Sequence, residues 1–296
     1  MIKSFFDSLN IQYKEDISLR NYNTYRINTT CKFLVFPKNI EELIEVIKYL
    51  KENNLKYYML GNGSNIILSM EYYDGVMIKL DNLNNVIYKD NLVTADAGCS
   101  LIKLSLDTIE KGLSGMECLA GIPGCVGASV AMNAGAYNGD ISEILKEITV
   151  LTPNNEVVTM KKEELDFSYR NSFLKKNKDY VVLSATFELS EGNIEEMKHQ
   201  VQERRKKRIA SQPLDMPSAG SVFRNPENDY AGALIEKHNL KGYNINGAEV
   251  STKHANFIVN KGNATGKDIV ELIEIIQKEI KEKENIELKL EQIIVS

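Results

Sequence analysis

Leu119-Ala120-Gly121-Ile122-Pro123-Gly124-Cys125-Val126-Gly127-Ala128-Ser129-Val130-Ala131-Met132-Asn133-Ala134-Gly135-Ala136-Tyr137 decides the fold: four Gly, five Ala, one Pro and no charge in nineteen residues. This composition is expected to build neither an ordinary helix nor an ordinary strand. Gly121, Gly124, Gly127 and Gly135 lack a Cβ, so they can adopt positive φ and bring backbone against a flat or phosphorylated ligand. The block reads as a cofactor cradle.

A second glycine-rich loop, Leu60-Gly61-Asn62-Gly63-Ser64-Asn65, lies between the apolar runs Tyr57–Leu60 and Ile66-Ile67-Leu68. Consecutive N–H groups in such a turn make an anion-binding nest. Alone, Asn-Gly between apolar residues is also an ordinary hairpin turn. Neither segment is the dinucleotide fingerprint of a doubly wound fold. No Gly-x-Gly-x-x-Gly stands between a strand and a helix with an acid about twenty residues later.

At 296 residues the chain has room for two or three folding units, because single cores stop growing at roughly 250–300 residues. A hydrophobic content of 43%, a charged content of 26% and a net charge of −5 describe a globular protein whose partners are small molecules, not nucleic acid. The opening MIKSFFDSLNIQYKED has no apolar core of signal-peptide length, and no uncharged run approaches the roughly eighteen residues of a membrane helix. A cytoplasmic monomer is expected. Cys31, Cys99, Cys118 and Cys125 are irregularly spaced and do not group with His199, His238 and His254, so neither a disulfide framework nor a metal site is expected.

Ile40, Leu43, Ile44, Ile47 and Leu50 recur at helical spacing behind Asn39, predicting a helix over 39–54. Strands are predicted at Lys32–Phe36, Tyr57–Leu60, Gly75–Lys79, Val86–Tyr88 and Leu92–Ala95, and a helix at Ser100–Lys111 stopped by Gly112. Beyond the glycine block come strands at Glu147–Leu151, Glu156–Met160 and Val181–Leu189, then a charged helix from Ile194 to about Ile209. The last third predicts helices at Ala231–His238 and Gly266–Lys283, and strands near Ala248, at Phe257–Val259 and at Leu288–Val295. The class is α+β.

Ser168-Tyr169-Arg170-Asn171-Ser172-Phe173 sets a guanidinium between hydroxyls and aromatics, a fork suited to a carboxylate or developing enolate. The small-residue loop Pro217-Ser218-Ala219-Gly220-Ser221-Val222-Phe223-Arg224-Asn225-Pro226 has no Gly-x-Ser-x-Gly elbow, so Ser221 suits proton donation better than nucleophilic attack. The run Glu203-Arg204-Arg205-Lys206-Lys207-Arg208 reads as a solvated helix face with one or two side chains for phosphates. Glu291, inside the apolar strand Leu288–Val295, reads on its own as edge protection.

In order, Asn23-Thr24-Tyr25, Gly61-Asn62-Gly63-Ser64-Asn65, AGIPGCVG with MNAGAY, Tyr169-Arg170-Asn171-Ser172, Gly220-Ser221-Val222-Phe223 and Leu290-Glu291 resemble the UDP-N-acetylenolpyruvoylglucosamine reductase family. The likeness runs from about Asn21 to the C-terminus. It implies a vanillyl-alcohol-oxidase/PCMH-type FAD-binding fold of two subdomains plus a smaller C-terminal α+β substrate domain. The boundaries expected are 1–190 for the flavin domain, with subdomains of about 1–80 and 81–190, and 191–296 for the substrate domain.

The resemblance makes the glycine-rich segments the FAD cradle. Leu60, Gly61, Asn62, Gly63, Ser64 and Asn65 come from the first, and Gly121, Ile122, Pro123, Gly124, Val126, Gly127, Asn133, Ala134, Gly135, Ala136 and Tyr137 from the second, with Tyr25 beside them. Arg170, Ser221 and Glu291 fall on the catalytic positions, and Tyr169, Arg208 and Asn225 on positions that hold the nucleotide-sugar. The implied activity is NADPH-dependent reduction, through FAD, of UDP-N-acetylglucosamine enolpyruvate to UDP-N-acetylmuramate in peptidoglycan precursor synthesis. In it, Arg170 and Glu291 stabilise the enolate, with Glu291 protonated or acting through a partner, and Ser221 protonates the adjacent carbon.

Two features depart from the commoner pattern: Ala128 follows Gly127 where a second glycine is usual, and the interval from Arg170 to Ser221 is short, as in the subclass lacking an inserted tyrosine loop. The competing readings are another flavin oxidase or dehydrogenase of the same fold, acting on a 2-hydroxy acid or sugar lactone, and a flavin-free nucleotide-sugar binding protein.

Overall fold

The apolar spacing between Ile40 and Leu50 forms the helix Ile40–Glu52, whose first turn is capped by Asn39 Oδ1 accepting the Glu42 N–H at 2.8 Å. Its inner face, Leu43, Val46, Ile47 and Leu50, is buried against Phe33, Val35, Val76 and Ile78. Each such side chain contributes about 1.5–3 kcal/mol when fully buried. The computed structural model describes residues 2–296, which divide into two units. The first takes the segment up to Glu15, Phe33–Gly61 and Gly75–Arg205; the second takes Asp16–Lys32, Asn62–Asp74 and Lys206–Ser296.

The helix Ile40–Glu52 packs on a four-stranded sheet of order Gln12–Ser18, Thr30–Phe36, Tyr72–Ile78, Tyr57–Met59. The last two run parallel, with Tyr57 opposite Val76. A five-stranded antiparallel sheet has the order Val157–Lys161, Leu145–Leu151, Val181–Glu188, Leu92–Asp96, Val86–Lys89. Val93, Ala95, Ala185 and Phe187 from this sheet share a core with Leu101 and Leu104 of the helix Leu101–Glu110 and with Leu119, Val126 and Val130 of the glycine block.

In the second unit the helix Gly266–Glu284 buries Ile269, Leu272, Ile273, Ile276 and Ile280. Thr265 and Asp268 form its capping box, and Asn285 ends it in the left-handed region at φ 55°. A three-stranded antiparallel sheet runs Asn244–Ile245, Ala248–Val250, Ile258–Asn260, and Ile293–Val295 pairs in parallel with Ile66–Leu68. No helix among the described residues is long and apolar enough to cross a membrane.

The predicted helices and strands are found to within a few residues, with informative differences. The glycine block does contain a helix, Val126–Ala131, followed by a small hairpin of Gly135–Ala136 with Gly139–Asp140. Gly124, Gly127 and Gly135 are small because protein packs against them: an added Cβ would lie 2.5 Å from Ser129 Oγ, 2.8 Å from Ala97 Cβ and 2.4 Å from the Gly139 oxygen, respectively. Positive φ, expected of the glycines, falls instead on Asn133 (43°), Tyr137 (55°) and Asn138 (65°). The strand expected over Leu288–Val295 is regular only at Ile293–Val295, because its first half pairs irregularly, Leu290 bridging Phe223. The helix Ile2–Ser8 and the strand Gln12–Ser18 were not expected, since only Phe6 of the helix is buried and the strand has three consecutive charged residues and no buried one.

Candidate active site

In the first unit the site grows from the hairpin that closes the glycine block. Arg170 takes a left-handed backbone, φ 53°, which turns its side chain back so that Nη2 donates to the Gly135 oxygen at 2.5 Å and Nη1 to the Asn133 oxygen at 3.4 Å. Its guanidinium carbon lies 5.4 Å from the Tyr169 ring centre, and Tyr169 itself is 55% exposed. Ser172, fully buried, donates to the Ala131 oxygen at 2.6 Å and anchors the segment to the end of the short helix. Asn133 spends its carboxamide inside the protein: Nδ2 donates to Asp140 at 3.0 Å and to the Ser168 oxygen at 3.2 Å, and Oδ1 accepts the Ser142 N–H at 3.0 Å.

Gly61 meets the same block, for a Cβ there would lie 3.1 Å from Ala128 Cβ and 3.2 Å from Cys125 Sγ. Ala128 is therefore matched to Gly61. The Gly61 oxygen accepts from the buried Lys79 ammonium at 2.8 Å, and Lys79 pairs with Asp81 at 3.2 Å. Tyr137 donates to the Arg204 oxygen at 2.9 Å, and the Arg204 guanidinium lies 5.3 Å from its ring centre. Burial pushes the Cys125 thiol up from its ordinary value, so it is no thiolate at neutral pH.

In the second unit Ser221 and Glu291 are brought onto one short clamp. Residues 221–223 lie between two extended segments, with Ser221 bridging Phe257 and Phe223 bridging Leu290. Val222 donates to the Asn256 oxygen at 2.9 Å and accepts the Glu291 N–H at 2.8 Å. The loop that carries Asn65 joins the same clamp: Asn65 Nδ2 donates to the Glu291 oxygen at 3.3 Å. Gly63 is required by a close approach, its φ of 64° and the Tyr22 oxygen 2.3 Å from any Cβ excluding a side chain. Its oxygen accepts from the Thr24 N–H at 3.1 Å, next to Tyr25. Arg208 Nε donates to Gln212 at 3.1 Å, and Asn225 Oδ1 accepts the Ala231 N–H at 3.1 Å, capping the helix Ala231–Lys237.

Among the buried carboxamides that escaped the sequence reading, two lie at the clamp. Asn256 grips Phe223 on both sides, Oδ1 accepting its N–H at 2.9 Å and Nδ2 donating to its oxygen at 2.8 Å. Gln292 accepts from the Tyr25 hydroxyl at 2.9 Å and donates to the oxygens of Ala219 and Gly220 at 3.1 and 3.2 Å. The available signal was an amide side chain set among apolar strand residues, as in Ala255-Asn256-Phe257-Ile258.

A model of the FAD binding domain matches residues 31–161, and one of the UDP-N-acetylenolpyruvoylglucosamine reductase C-terminal domain matches residues 212–295. The UDP-N-acetylenolpyruvoylglucosamine reductase of Clostridium novyi is 43% identical over 284 residues, covering 96% of this chain and 92% of that protein. The chain belongs to the UDP-N-acetylenolpyruvoylglucosamine reductase family. The crystal structure of the Thermus caldophilus UDP-N-acetylenolpyruvylglucosamine reductase is similar over 97% of this chain and 99% of that one, with a TM-score of 0.83 and 31% identity. BBE-like 1 of Physcomitrella patens, 19% identical with a TM-score of 0.50, covers 64% of this chain and 44% of its own, and shares the fold alone. The architecture is thus the vanillyl-alcohol-oxidase/PCMH-type α+β flavin fold with the family's C-terminal domain. That C-terminal match separates this family member from flavin oxidases acting on 2-hydroxy acids or lactones.

Proposed function

We propose that Arg170, Ser221 and Glu291 carry the family's reaction in this chain, the reduction of UDP-N-acetylglucosamine enolpyruvate to UDP-N-acetylmuramate. The protein is an FAD-containing, NADPH-dependent oxidoreductase of peptidoglycan precursor synthesis. The observation that carries the residue assignment is the clamp on which Glu291 donates its backbone N–H to Val222, the neighbour of Ser221. Main-chain bonds join the segment that carries Glu291 to the one that carries Ser221, although the two are distant in sequence.

The residues present suit a diphosphate-bearing cofactor or substrate. Nη1 of Arg204, beside Tyr137, is buried with no hydrogen-bond partner among the described residues. A buried cationic donor without a partner is costly, and a phosphate oxygen satisfies it. The holding residues would be Leu60 to Asn65 and Tyr25 together with Gly121, Ile122, Pro123, Gly124, Val126, Gly127 and Asn133 to Tyr137. FAD supplies the relay of a hydride from NADPH to the enolpyruvyl double bond.

Arg170 would face the substrate carboxylate as it becomes enolate-like; a guanidinium has five donors, enough to grip the hairpin oxygens and an anion together. Glu291 would share in holding that charge. Ser221 would give its proton to the adjacent carbon, a step that needs water excluded because a hydroxyl is a weak acid. Tyr169, Arg208 and Asn225 would contact the nucleotide-sugar. We further assign 1–190 to flavin binding, as subdomains of about 1–80 and 81–190, and 191–296 to the substrate, in a cytoplasmic monomer without a nucleic-acid partner.

In the purified, yellow holoenzyme, Ser221→Ala is expected to leave flavin reduction by NADPH fast and to slow reoxidation by the enolpyruvyl substrate roughly a hundredfold or more in stopped flow. Equal loss in both half-reactions would remove the proton-donor role.

A further inference from the structure

We infer that Gln292 is a positioning residue for Ser221, holding the two peptide units that lead into the serine and tying them to the buried Tyr25. The inference rests on Ser221 being the proton donor. Gln292 is 3% exposed, and its side chain makes three hydrogen bonds: Nε2 to the oxygens of Ala219 and Gly220, Oε1 from the Tyr25 hydroxyl. Leu288, four residues earlier in the same segment, is an ordinary apolar residue, 1% exposed. Burying an amide beside it is unfavourable unless the amide is fully used.

Its use is local to the serine. Gly220 stands in the left-handed region at φ 76°, and nothing lies within 4 Å of where its Cβ would be. Nothing therefore packs on that side of Gly220, although Ala219 and Val222 on either side are buried. Hydrogen bonds hold the peptide that aims Ser221, from Gln292 before the serine and from the Asn256 clamp after it. Rotation about Gly220 swings the Ser221 hydroxyl, and a displacement of about 1 Å at a reacting group is worth on the order of a hundredfold in rate. Gln292 also follows Glu291 directly, so one side chain couples the aim of the serine to the segment that carries the carboxyl. Tyr25 completes the chain of contacts: fully buried, with its hydroxyl pushed above the ordinary phenol range by burial, it remains a neutral donor to Gln292 at any working pH.

The test compares Gln292→Met, which keeps length and loses polarity, with Gln292→Glu, which keeps the acceptor and loses the amide donors. In FAD-loaded Gln292→Met, flavin reduction by NADPH is expected to be unchanged, while reoxidation at saturating enolpyruvyl substrate slows by about ten- to a hundredfold with substrate KM within about threefold. Backbone hydrogen exchange across residues 219–223 should rise. Gln292→Glu should regain reoxidation as pH falls, because the protonated carboxyl again donates to a carbonyl. The double variant with Ser221→Ala should be no slower than Ser221→Ala alone.

Reoxidation within twofold of the unchanged protein, equal slowing of both half-reactions, or unaltered exchange overturns the inference. If Gln292→Met does not fold, the Gln292→Glu profile decides, and a flat one overturns it. Normal reoxidation in Ser221→Ala removes the proton-donor reading and the inference with it. A slow Ser221→Ala beside a normal Gln292→Met removes the inference alone.

Discussion

In the glycine block the backbone is placed by what is missing, whereas around Ser221 it is placed by what has been added. Gly124, Gly127 and Gly135 let Ser129, Ala97 and the Gly139–Asp140 turn come within distances that no Cβ allows. Near Ser221 the backbone is instead gripped by the amides of Asn256 and Gln292, 4% and 3% exposed. The two regions respond differently to substitution. Close approach fails by overpacking, which a chain relieves by small shifts, while a gripped backbone fails by leaving buried N–H and C=O groups unpaired, which shifts do not cure.

The comparison is sharpest at Asn256. Asn256→Ala orphans both polar groups of the buried Phe223, and a loss of roughly 3–5 kcal/mol is expected from two unpaired groups plus a small void, read by urea unfolding. A loss under about 1 kcal/mol would show that water or a shifted neighbour replaces the amide. Gly135→Ala should cost less, about 1–3 kcal/mol by overpacking, although its Cβ would meet the Gly139 oxygen at 2.4 Å and Asp140 Cβ at 2.5 Å. Because Arg170 donates to the Gly135 oxygen, this variant should also weaken substrate turnover more than flavin reduction. A greater stability loss in Gly135→Ala than in Asn256→Ala would reverse the contrast between the regions.

The smallest effect is expected at His254, edge-on to Phe257 with ring centres 4.8 Å apart. Its Nδ1 accepts the Asn256 N–H at 3.2 Å, which fixes the neutral, Nε2-protonated ring. Burial lowers its pKa, with Lys241 adding to and Glu236 opposing the shift. The unfolded chain therefore binds a proton near pH 6.5, where the folded protein still resists it, and stability falls as pH drops through that value. His254→Gln should flatten the slope between about pH 7 and 5 in unfolding titrations. An unchanged slope would mean that other groups set it.

How much was legible follows the same contrast. The helix Ile40–Glu52 could be read because an apolar stripe, an Asn cap and late lysines agree. The glycine block could be read as unusual, since missing side chains are visible in composition. Its internal helix Val126–Ala131 could not, because six small residues are too few to show a period, and the reason for Gly127, the close approach of Ala97, is a tertiary contact. Arg170, Ser221 and Glu291 were picked out by family resemblance; by pattern alone Glu291 looked like edge protection. Asn256 and Gln292 were passed over because a buried amide has no sequence period of its own.

By itself the sequence determined the class of the protein: the order of helices and strands, the two glycine-rich segments, and the motifs that carry family membership. These depend on local pattern and on which side chains are absent, both of which survive in one dimension. The tertiary structure alone decided which protein surfaces the glycines accommodate, that Glu291 and Gln292 are bonded to the segment around Ser221, and that Asn65 is bonded to Glu291. Those bonds join residues up to 226 positions apart, and only folding chooses which buried amide meets which carbonyl.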